Sequence, residues 1–309
     1  MHPASKPAKI LYAVVLCFCS VAYAEQPPPE YKFTSVDVPG AKVTVVEGIN
    51  DLGHVVGSSM VDVFDPRSTG FVFADGQFST INVPGATSLT PQSINKHGSI
   101  VGSLIENGIQ KAFLLENDQL TIFNVPASEV CLSSAFTINN RGQIVGEYLD
   151  LCNVGNRQHG FLFDDGKFSS IDFPGADGTV VNGINNDGDI VGFFYGAPAG
   201  GMTTSGFVKK NERVFRVVDV PFPGTTSTSI NGINNDGDMV GTFSSDLMGV
   251  GSFVFVNRKF VELEFPSAIM TIALAINKRG QIAGFYIDGQ GGTHGFIATP
   301  VKNKNRNVN

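Results

Sequence analysis

Two acidic turn segments are the first residues in this sequence whose types and spacing could do chemistry. Residues 185–189 and 234–238 both read Asn-Asn-Asp-Gly-Asp, a composition rich in the oxygen ligands that calcium takes. Calcium needs roughly six to eight oxygens at fixed spacing, and the first ligand position here is a glycine, Gly183 or Gly232. The segments therefore favour asparagine–glycine turns, and we expect neither a metal nor a cofactor.

Aromatic, acidic and basic residues near the variable segments of the chain could form a binding site. Aromatic rings there could stack on sugars or hold a protein partner. Packing within the fold, or solvation on a loop, is the alternative explanation for each of these residues. The candidate ligand-binding residues are Tyr148, Asp150, Arg157, His159, Tyr195, Tyr286, Asp288 and His294.

Catalytic patterns are missing from the sequence. It has no H-E-x-x-H or C-x-x-C spacing and no G-x-S-x-G nucleophile turn. Acids of the variable segments, such as Asp62, Asp65 and Asp246, could serve a glycosidase only if the fold brings distant carboxylates together. We therefore assign no catalytic residue.

The elements that must position these residues are six copies of one segment. The copies begin at Ile49, Ile94, Ile138, Ile184, Ile233 and Ile276, with successive spacings of 45, 44, 46, 49 and 43 residues. Each copy follows the pattern Ile-Asn-x-x-Gly-x-(Ile/Val/Met)-(Val/Ala)-Gly. A recurring period of this length indicates a repeat architecture.

Each repeat contains four strand-like segments with apolar and polar residues in alternation. The Asn-x-x-Gly turn joins the second segment to the third, and an Asp-Gly type of turn joins the fourth to the next first segment. We interpret the asparagine as a turn cap and the recurring glycines at 57, 102, 146, 192, 241 and 284 as sites of close backbone approach. The pattern predicts an all-β, six-bladed β-propeller, with an open β-solenoid of six rungs as the alternative.

The two ends of the repeat region favour a closed ring. It opens with a first segment at residues 33–40 and closes with a fourth segment at 295–299. Pairing these two strands would leave no open sheet edge between the ends. In this arrangement the Asn-x-x-Gly turns and the Asp-Gly turns lie on one face of the ring. The connections of variable length between the third and fourth segments lie on the other face, which we call the connection face. We expect the connection face to bind, because function concentrates on loops held by a rigid scaffold.

The remaining chain divides into short flanking segments. Residues 1–24 have a basic start, an apolar run and an Ala-x-Ala site, which predicts a signal peptide. Residues 25–32 read as a leader, 33–299 as the propeller and 300–309 as a polar tail. We expect an extracellular or periplasmic monomer without a membrane span once the signal peptide is removed.

The charge of the chain argues against two classes of binding partner. Lys6 and Lys9 are the only charged residues of the predicted signal peptide, so the remainder holds 19 basic and 28 acidic residues. This acidic balance argues against nucleic acid and anionic membranes as partners.

Two cysteines outside the predicted signal peptide could form a disulfide. Cys131 and Cys152 flank the third Asn-x-x-Gly turn and fall nearly opposite each other on adjacent strands. We therefore expect a disulfide, with two free thiols as the alternative.

The repeats resemble the extracellular HAF repeat family. The resemblance rests on the Ile-Asn-x-x-Gly pattern and on the triplets at His159-Gly160-Phe161, His294-Gly295-Phe296 and Lys111-Ala112-Phe113. It covers residues 33–299 and implies a secreted bacterial protein without a defined activity. Histidine is missing from four of the six triplets.

Three functions remain open from the sequence. The main hypothesis is a secreted, non-enzymatic propeller whose loop face binds a glycan or a protein. The second is a carbohydrate-active hydrolase or lyase, which a cluster of three or more acids with an aromatic at the channel mouth would favour. The third is a structural role in an envelope or matrix. Fold alone does not choose among them.

Overall fold

The computed structural model describes residues 29–65, 67–123, 125, 130–150, 157–196, 204–210 and 214–301, with the backbone alone at 130 and 131. The predicted signal peptide, residues 25–28 of the predicted leader and the polar tail after 301 lie outside these residues. The predicted disulfide also lies outside them, because it depends on Cys152 and on the side chain of Cys131. In the part of the chain that is described, no helix is long and apolar enough to cross a membrane.

All elements of the described residues are β-strands. The first twelve are β1 (Tyr31–Val36), β2 (Val43–Ile49), β3 (Val55–Met60), β4 (Thr69–Ala74), β5 (Gln77–Thr80), β6 (Ser88–Ile94), β7 (Ile100–Glu106), β8 (Ile109–Glu116), β9 (Gln119–Ile122), β10 (Val130–Ile138), β11 (Ile144–Asp150) and β12 (Arg157–Asp164). The second twelve are β13 (Lys167–Ile171), β14 (Gly178–Ile184), β15 (Ile190–Tyr195), β16 (Thr204–Lys210), β17 (Val214–Val218), β18 (Thr225–Ile233), β19 (Met239–Ser245), β20 (Gly249–Val256), β21 (Lys259–Leu263), β22 (Met270–Ile276), β23 (Ile282–Ile287) and β24 (Thr293–Pro300).

The strands form antiparallel units of four, and all but one of these units are built from consecutive strands. Four units are separate sheets: β6–β9, β10–β13, β14–β17 and β18–β21. The strands β2–β5 and the strands β22, β23, β24 and β1 make one eight-stranded sheet. A single parallel residue pair, Val43 with Thr293, joins its two halves. We number the units in sequence order of their first strands, so β2–β5 is the first unit and β22, β23, β24 with β1 is the sixth.

The first and last strands of the chain pair with each other. β1 runs antiparallel to β24 in a continuous register from Tyr31 opposite Pro300 to Val36 opposite Gly295. This is the pairing that the sequence indicated, although β1 begins at Tyr31 rather than at Phe33 and so includes the end of the predicted leader. The innermost strands also contact one another in turn, and β22 contacts β2. The units therefore form a closed ring around a channel, which is the arrangement of a β-propeller.

The hydrophobic core lies between neighbouring units. Val181 and Phe207 of the fourth unit pack with Val145, Leu162 and Ile171 of the third, and equivalent clusters fill the other interfaces. Phenylalanine of the fourth segment is buried in every unit, at 71, 113, 161, 207, 253 and 296. Successive side chains of a strand point to opposite faces of its sheet. On β7, Ile100 packs towards the first unit and Val101 towards the third, so both faces of the sheet contribute to the core.

The recurring glycines allow the first two strands of each unit to pair closely. A Cβ added to Gly192 would collide with the carbonyl oxygen of Val180 on β14, and one added to Gly146 would collide with that of Ser134 on β10. The same carbonyl contact recurs at the other four positions. The prediction of close backbone approach at these glycines is confirmed.

The turn asparagines have a structural role in every unit. The Asn185 Oδ1 accepts hydrogen bonds from the backbone N–H groups of Asp187 and Asp189, at 3.0 and 2.9 Å. The same two bonds recur in the other five turns. The turn-cap interpretation is confirmed.

Candidate functional site

A β-bulge in each innermost strand positions a side chain on the channel. The pairing with the second strand skips one residue in every unit, for example between Val46 and Gly48 on β2. A bulge leaves the extra residue unpaired and re-aims its side chain. All six extra residues line the same cavity. They are Glu47, Gln92, Phe136, Asn182, Asn231 and Leu274.

The cavity is the interior of the channel at the end that carries the Asn-x-x-Gly turns. Its volume is about 270 Å³. The bulge residues line it together with the six Ile-Asn pairs of the turns. Four bulge residues are polar and two are apolar, so the wall combines hydrogen-bonding groups with Phe136 and Leu274.

A ring of hydrogen bonds encircles this end of the channel. The Asn50 Nδ2 donates to the backbone oxygen of Asn95, and each later turn asparagine donates in the same way to its successor, over distances of 2.9–3.4 Å. The ring closes when the Asn277 Nδ2 donates to the backbone oxygen of Asn50. The Asn140 Nδ2 also donates to the Asp51 Oδ2 at 3.0 Å, across two units. The channel mouth is therefore rigid and polar.

Glu47 carries a perturbed carboxyl group in the cavity. Burial raises its pKa from the ordinary 4.5 to about 7. None of the hydrogen bonds or ion pairs within the described residues involves this carboxyl group. Its neighbours in the ring of bulge residues are Leu274 and Gln92, neither of which brings a compensating charge. Near neutral pH the group exchanges readily between its protonated and ionised forms.

The predicted residues around His159 come together on the third unit. The His159 Nδ1 lies 2.7 Å from the Asp172 Oδ1, and its Nε2 lies 3.4 Å from the Asp150 Oδ2. The ring of Tyr148 stacks on the imidazole, with centroids 5.0 Å apart. The Tyr148 hydroxyl donates to the Ser170 Oγ, which donates to the Asp172 Oδ2. We call these five residues the third-unit cluster.

The predicted residues around His294 form the same arrangement on the sixth unit. The His294 Nδ1 lies 2.9 Å from the Asp37 Oδ1, and its Nε2 lies 3.3 Å from the Asp288 Oδ2. Tyr286 stacks on the imidazole at 5.1 Å, and its hydroxyl is 2.9 Å from the Ser35 Oγ. We call these five residues the sixth-unit cluster. The two clusters lie on different units of the ring.

The carboxylates control the charge of His294. Burial alone would lower the pKa of His294, but hydrogen bonds and charge from Asp37 and Asp288 outweigh it and raise that pKa. Backbone N–H groups of Gly292 and Gln290, aided by His294, lower the pKa of Asp288. The sixth-unit cluster therefore favours an imidazolium held between two carboxylates.

Two predicted site residues lie apart from these groups. Arg157 is exposed at the start of β12, opposite Asp150 in the strand register. Tyr195 ends β15 and its ring covers Gly178. Burial raises the pKa of Tyr195, with smaller contributions from the charges of Glu147 and Asp177. Tyr195 belongs to neither cluster.

The sequence did not lead us to the serine of each cluster or to its second aspartate, Asp172 or Asp37. Ser170 and Asp172, like Ser35 and Asp37, follow the pattern Ser-x-Asp, with the serine in the outermost strand and the aspartate directly after it. The two units with this pattern are also the two that carry histidine before the fourth-segment glycine and tyrosine two residues after the recurring glycine of the third segment. That co-occurrence within repeats was the available signal. No comparable signal marked the bulge residues, which are of five different types in the six repeats.

Within the described residues no group of three or more His, Cys, Asp or Glu side chains is arranged to hold a metal ion. Asp62 and Asp65 lie in the connection between β3 and β4, whereas Asp246 lies in that between β19 and β20. Asp65 forms an ion pair with Arg67. The acids that line the cavity among the described residues are Glu47 and Asp51. This is fewer than the three that would favour a hydrolase.

Comparison with known sequences gives no family for this chain. No protein-family model matches it, and no curated protein matches it.

Solved structures show what the fold is similar to. A gluconolactonase from Xanthomonas campestris gives a TM-score of 0.52 at 13% identity, over 88% of this chain and 90% of that chain. A protein of unknown function from Dyadobacter fermentans gives 0.54 at 10% identity, over 87% and 98%. A fungal lectin from Aleuria aurantia, described as a six-bladed β-propeller that recognises fucose, gives 0.50 at 10% identity, over 87% and 93%. The expectation of an all-β propeller is confirmed, and identities this low carry no further conclusion.

Proposed function

We propose that this chain is an exported, monomeric, non-enzymatic six-bladed β-propeller of the HAF repeat type that binds glycans on its connection face. The blade count follows from treating the eight-stranded sheet as two blades that meet at one residue pair. Export follows from the signal-like residues 1–24.

The observation that carries the proposal is the duplication of the histidine cluster. Each imidazole holds two carboxylates in fixed positions, and Asp172 and Asp37 remain about half exposed, at 48% and 46% of the side chain. A carboxylate that is exposed and already held in place can accept hydrogen bonds from adjacent hydroxyl groups of a sugar. Little side-chain entropy is lost on binding, because the carboxylate is ordered beforehand. The stacked Tyr148 and Tyr286 add an apolar edge of the kind that suits a sugar ring. Two such sites on one ring would bind a branched or repeating glycan with avidity.

The similarity in fold to a fucose-recognising lectin supports a sugar ligand. The hydrolase alternative has less support, because Glu47 and Asp51 are the cavity acids among the described lining residues. A protein partner on the same connection face is the remaining alternative, and a structural role predicts no small-molecule ligand at all.

A glycan array followed by calorimetry tests the proposal. The chain from residue 25 onward is screened for binding, and a monosaccharide from the recognised glycan is then titrated into the wild type, Asp37→Asn, Asp172→Asn and the double variant. We expect two sites per molecule in the wild type, one in each single variant and none in the double variant. Asparagine keeps the shape of the side chain but removes the charge that strengthens hydrogen bonds to hydroxyl groups.

Asp219→Asn is the matched control. Asp219 is exposed and follows β17 at the position that Asp172 occupies after β13, but Ser205 replaces histidine on the neighbouring strand. This variant should bind as the wild type does. Glycan binding that survives in the double variant would overturn the connection-face assignment. A screen in which no glycan binds would overturn the function.

A further inference from the structure

We propose that the channel cavity is a separate binding site for a small organic ammonium ion, with Glu47 as its counter-ion. The site lies at the turn end of the channel, away from the histidine clusters on the connection face. The inference therefore holds whether or not the connection face binds glycan.

The free polar groups of the bulge residues are mostly hydrogen-bond acceptors. The Asn182 Nδ2 is committed to the Ile230 oxygen and to neighbouring side chains. The Asn231 Nδ2 is committed to the Ala273 oxygen. Within the described residues, the Glu47 carboxyl, the Asn182 Oδ1 and both ends of the Gln92 amide make no hydrogen bond. An ammonium group donates several hydrogen bonds and accepts none, which matches this surplus of acceptors.

Charge also favours a cation. The titratable residues among those that line the cavity are Glu47, Asp51 and Lys278. The Asp51 Oδ1 accepts a hydrogen bond from the backbone N–H of Lys278 at 3.1 Å, which places both residues together at the mouth. With Glu47 ionised, these three side chains carry one net negative charge. A partly buried carboxylate without an ion-pair partner is stabilised by an incoming cation.

The apolar part of the wall fits the organic part of such a ligand. Phe136 and Leu274 are the two apolar bulge residues, and they line the same cavity as Glu47. The face of an aromatic ring attracts an ammonium group, and leucine covers an alkyl chain. The volume of about 270 Å³ is just below the range of about 300–1,000 Å³ for ligand pockets, so the cavity fits a small molecule rather than a polymer.

Calorimetry with butylammonium chloride tests the proposal on the chain from residue 25 onward. Titrations are run at pH 6 and pH 8, with butan-1-ol as the neutral probe of the same length. We expect butylammonium to bind ~tenfold more tightly at pH 8, where Glu47 is ionised, and to release protons on binding near pH 7. Butan-1-ol should not bind measurably.

Three variants separate the role of Glu47 from general stability. Glu47→Gln should weaken butylammonium binding ~tenfold or more and abolish its pH dependence. Glu47→Asp keeps the charge and should retain the pH dependence with weaker binding, which gives a second measurement if the glutamine variant is unstable. Glu262→Gln makes the same chemical change on β21, away from the cavity, and should bind as the wild type does.

Two results would overturn the ammonium site. One is equal binding by wild type and a folded Glu47→Gln protein. The other is wild-type protein that binds butan-1-ol, or neither probe.

Discussion

The side-chain amides of the six turn asparagines form hydrogen bonds through both their oxygen and their nitrogen. Each Oδ1 accepts two backbone hydrogen bonds within its own turn, while each Nδ2 donates to the backbone of the next unit. These side chains are buried, at 3–4% exposure, so a lost partner would leave a polar group unsatisfied. Such a group costs about 1–3 kcal/mol. The recurrence of asparagine in all six repeats therefore has a structural cause.

His294 provides a pH-dependent part of the stability. Its pKa in the folded protein is raised above the ordinary 6.5. The stabilisation is therefore complete below pH 6.5 and is lost as the pH rises through the raised value. We expect His294→Ala to lower the free energy of unfolding by about 1 kcal/mol at pH 5.5 and by less at pH 8.5, since the group is partly exposed. Urea unfolding at the two pH values measures the difference.

His97→Ala is the control for this pH effect. His97 is exposed on a turn, and no ion pair is described for it. Its replacement should change stability little and equally at both pH values. An equal loss at both pH values in His294→Ala would show that packing, and not charge, accounts for the role of His294.

At the scale of the element, each unit depends on the close pairing of its first two strands. Gly192 faces the carbonyl oxygen of Val180, and this oxygen belongs to the backbone rather than to a flexible side chain. We expect Gly192→Ala to destabilise the protein by about 3 kcal/mol, because the two strands must separate to admit the methyl group. Thermal or urea unfolding measures the change.

Gly289→Ala provides the matched comparison for this steric effect. No atom lies within 4 Å of the position that its Cβ would take, and its φ is not in the left-handed region. This variant should remain within about 0.5 kcal/mol of the wild type. Similar effects at the two positions would contradict the steric explanation for the recurring glycine.

Much of each element could be predicted from the sequence, and the reasons are local. Strand periodicity, the Asn-x-x-Gly turn and the recurring glycines depend on neighbouring residues, so the six copies reveal them directly. The bulges could not be predicted, because a register shift depends on the partner strand. Glu47, Gln92 and Phe136 therefore gave no sign that they share a cavity. The tyrosine, histidine and one aspartate of each cluster were predicted, but the second aspartate directly follows the outermost strand.

At the scale of the whole molecule, the ring is held closed by β1. Val36 is buried at 4% exposure in the cluster that joins the sixth unit to the first, and Phe33 packs on Phe296. We expect a chain that begins at Asp37 to lose on the order of 5 kcal/mol relative to one that begins at residue 25, because the six residue pairs between β1 and β24 and this packing disappear. Circular dichroism melting curves compare the two chains.

A peptide of residues 29–38, added in trans, should restore part of the lost stability. A scrambled peptide of the same composition is the control. An unchanged melting midpoint in the shortened chain would contradict the role of β1 in closing the ring.

The pairing of β1 with β24 also determines how the ring responds to mechanical force. Tyr31 and Pro300 face each other at one end of this strand pair, and the backbone N–H of Val301 donates to the Glu30 oxygen at 2.8 Å. The two strands are antiparallel, so both ends of the described chain leave at the same point. Tension between these ends peels the pair apart one residue after another instead of shearing all its hydrogen bonds together. The ring is therefore weakest against pulling on its own termini, and its opening begins at Tyr31.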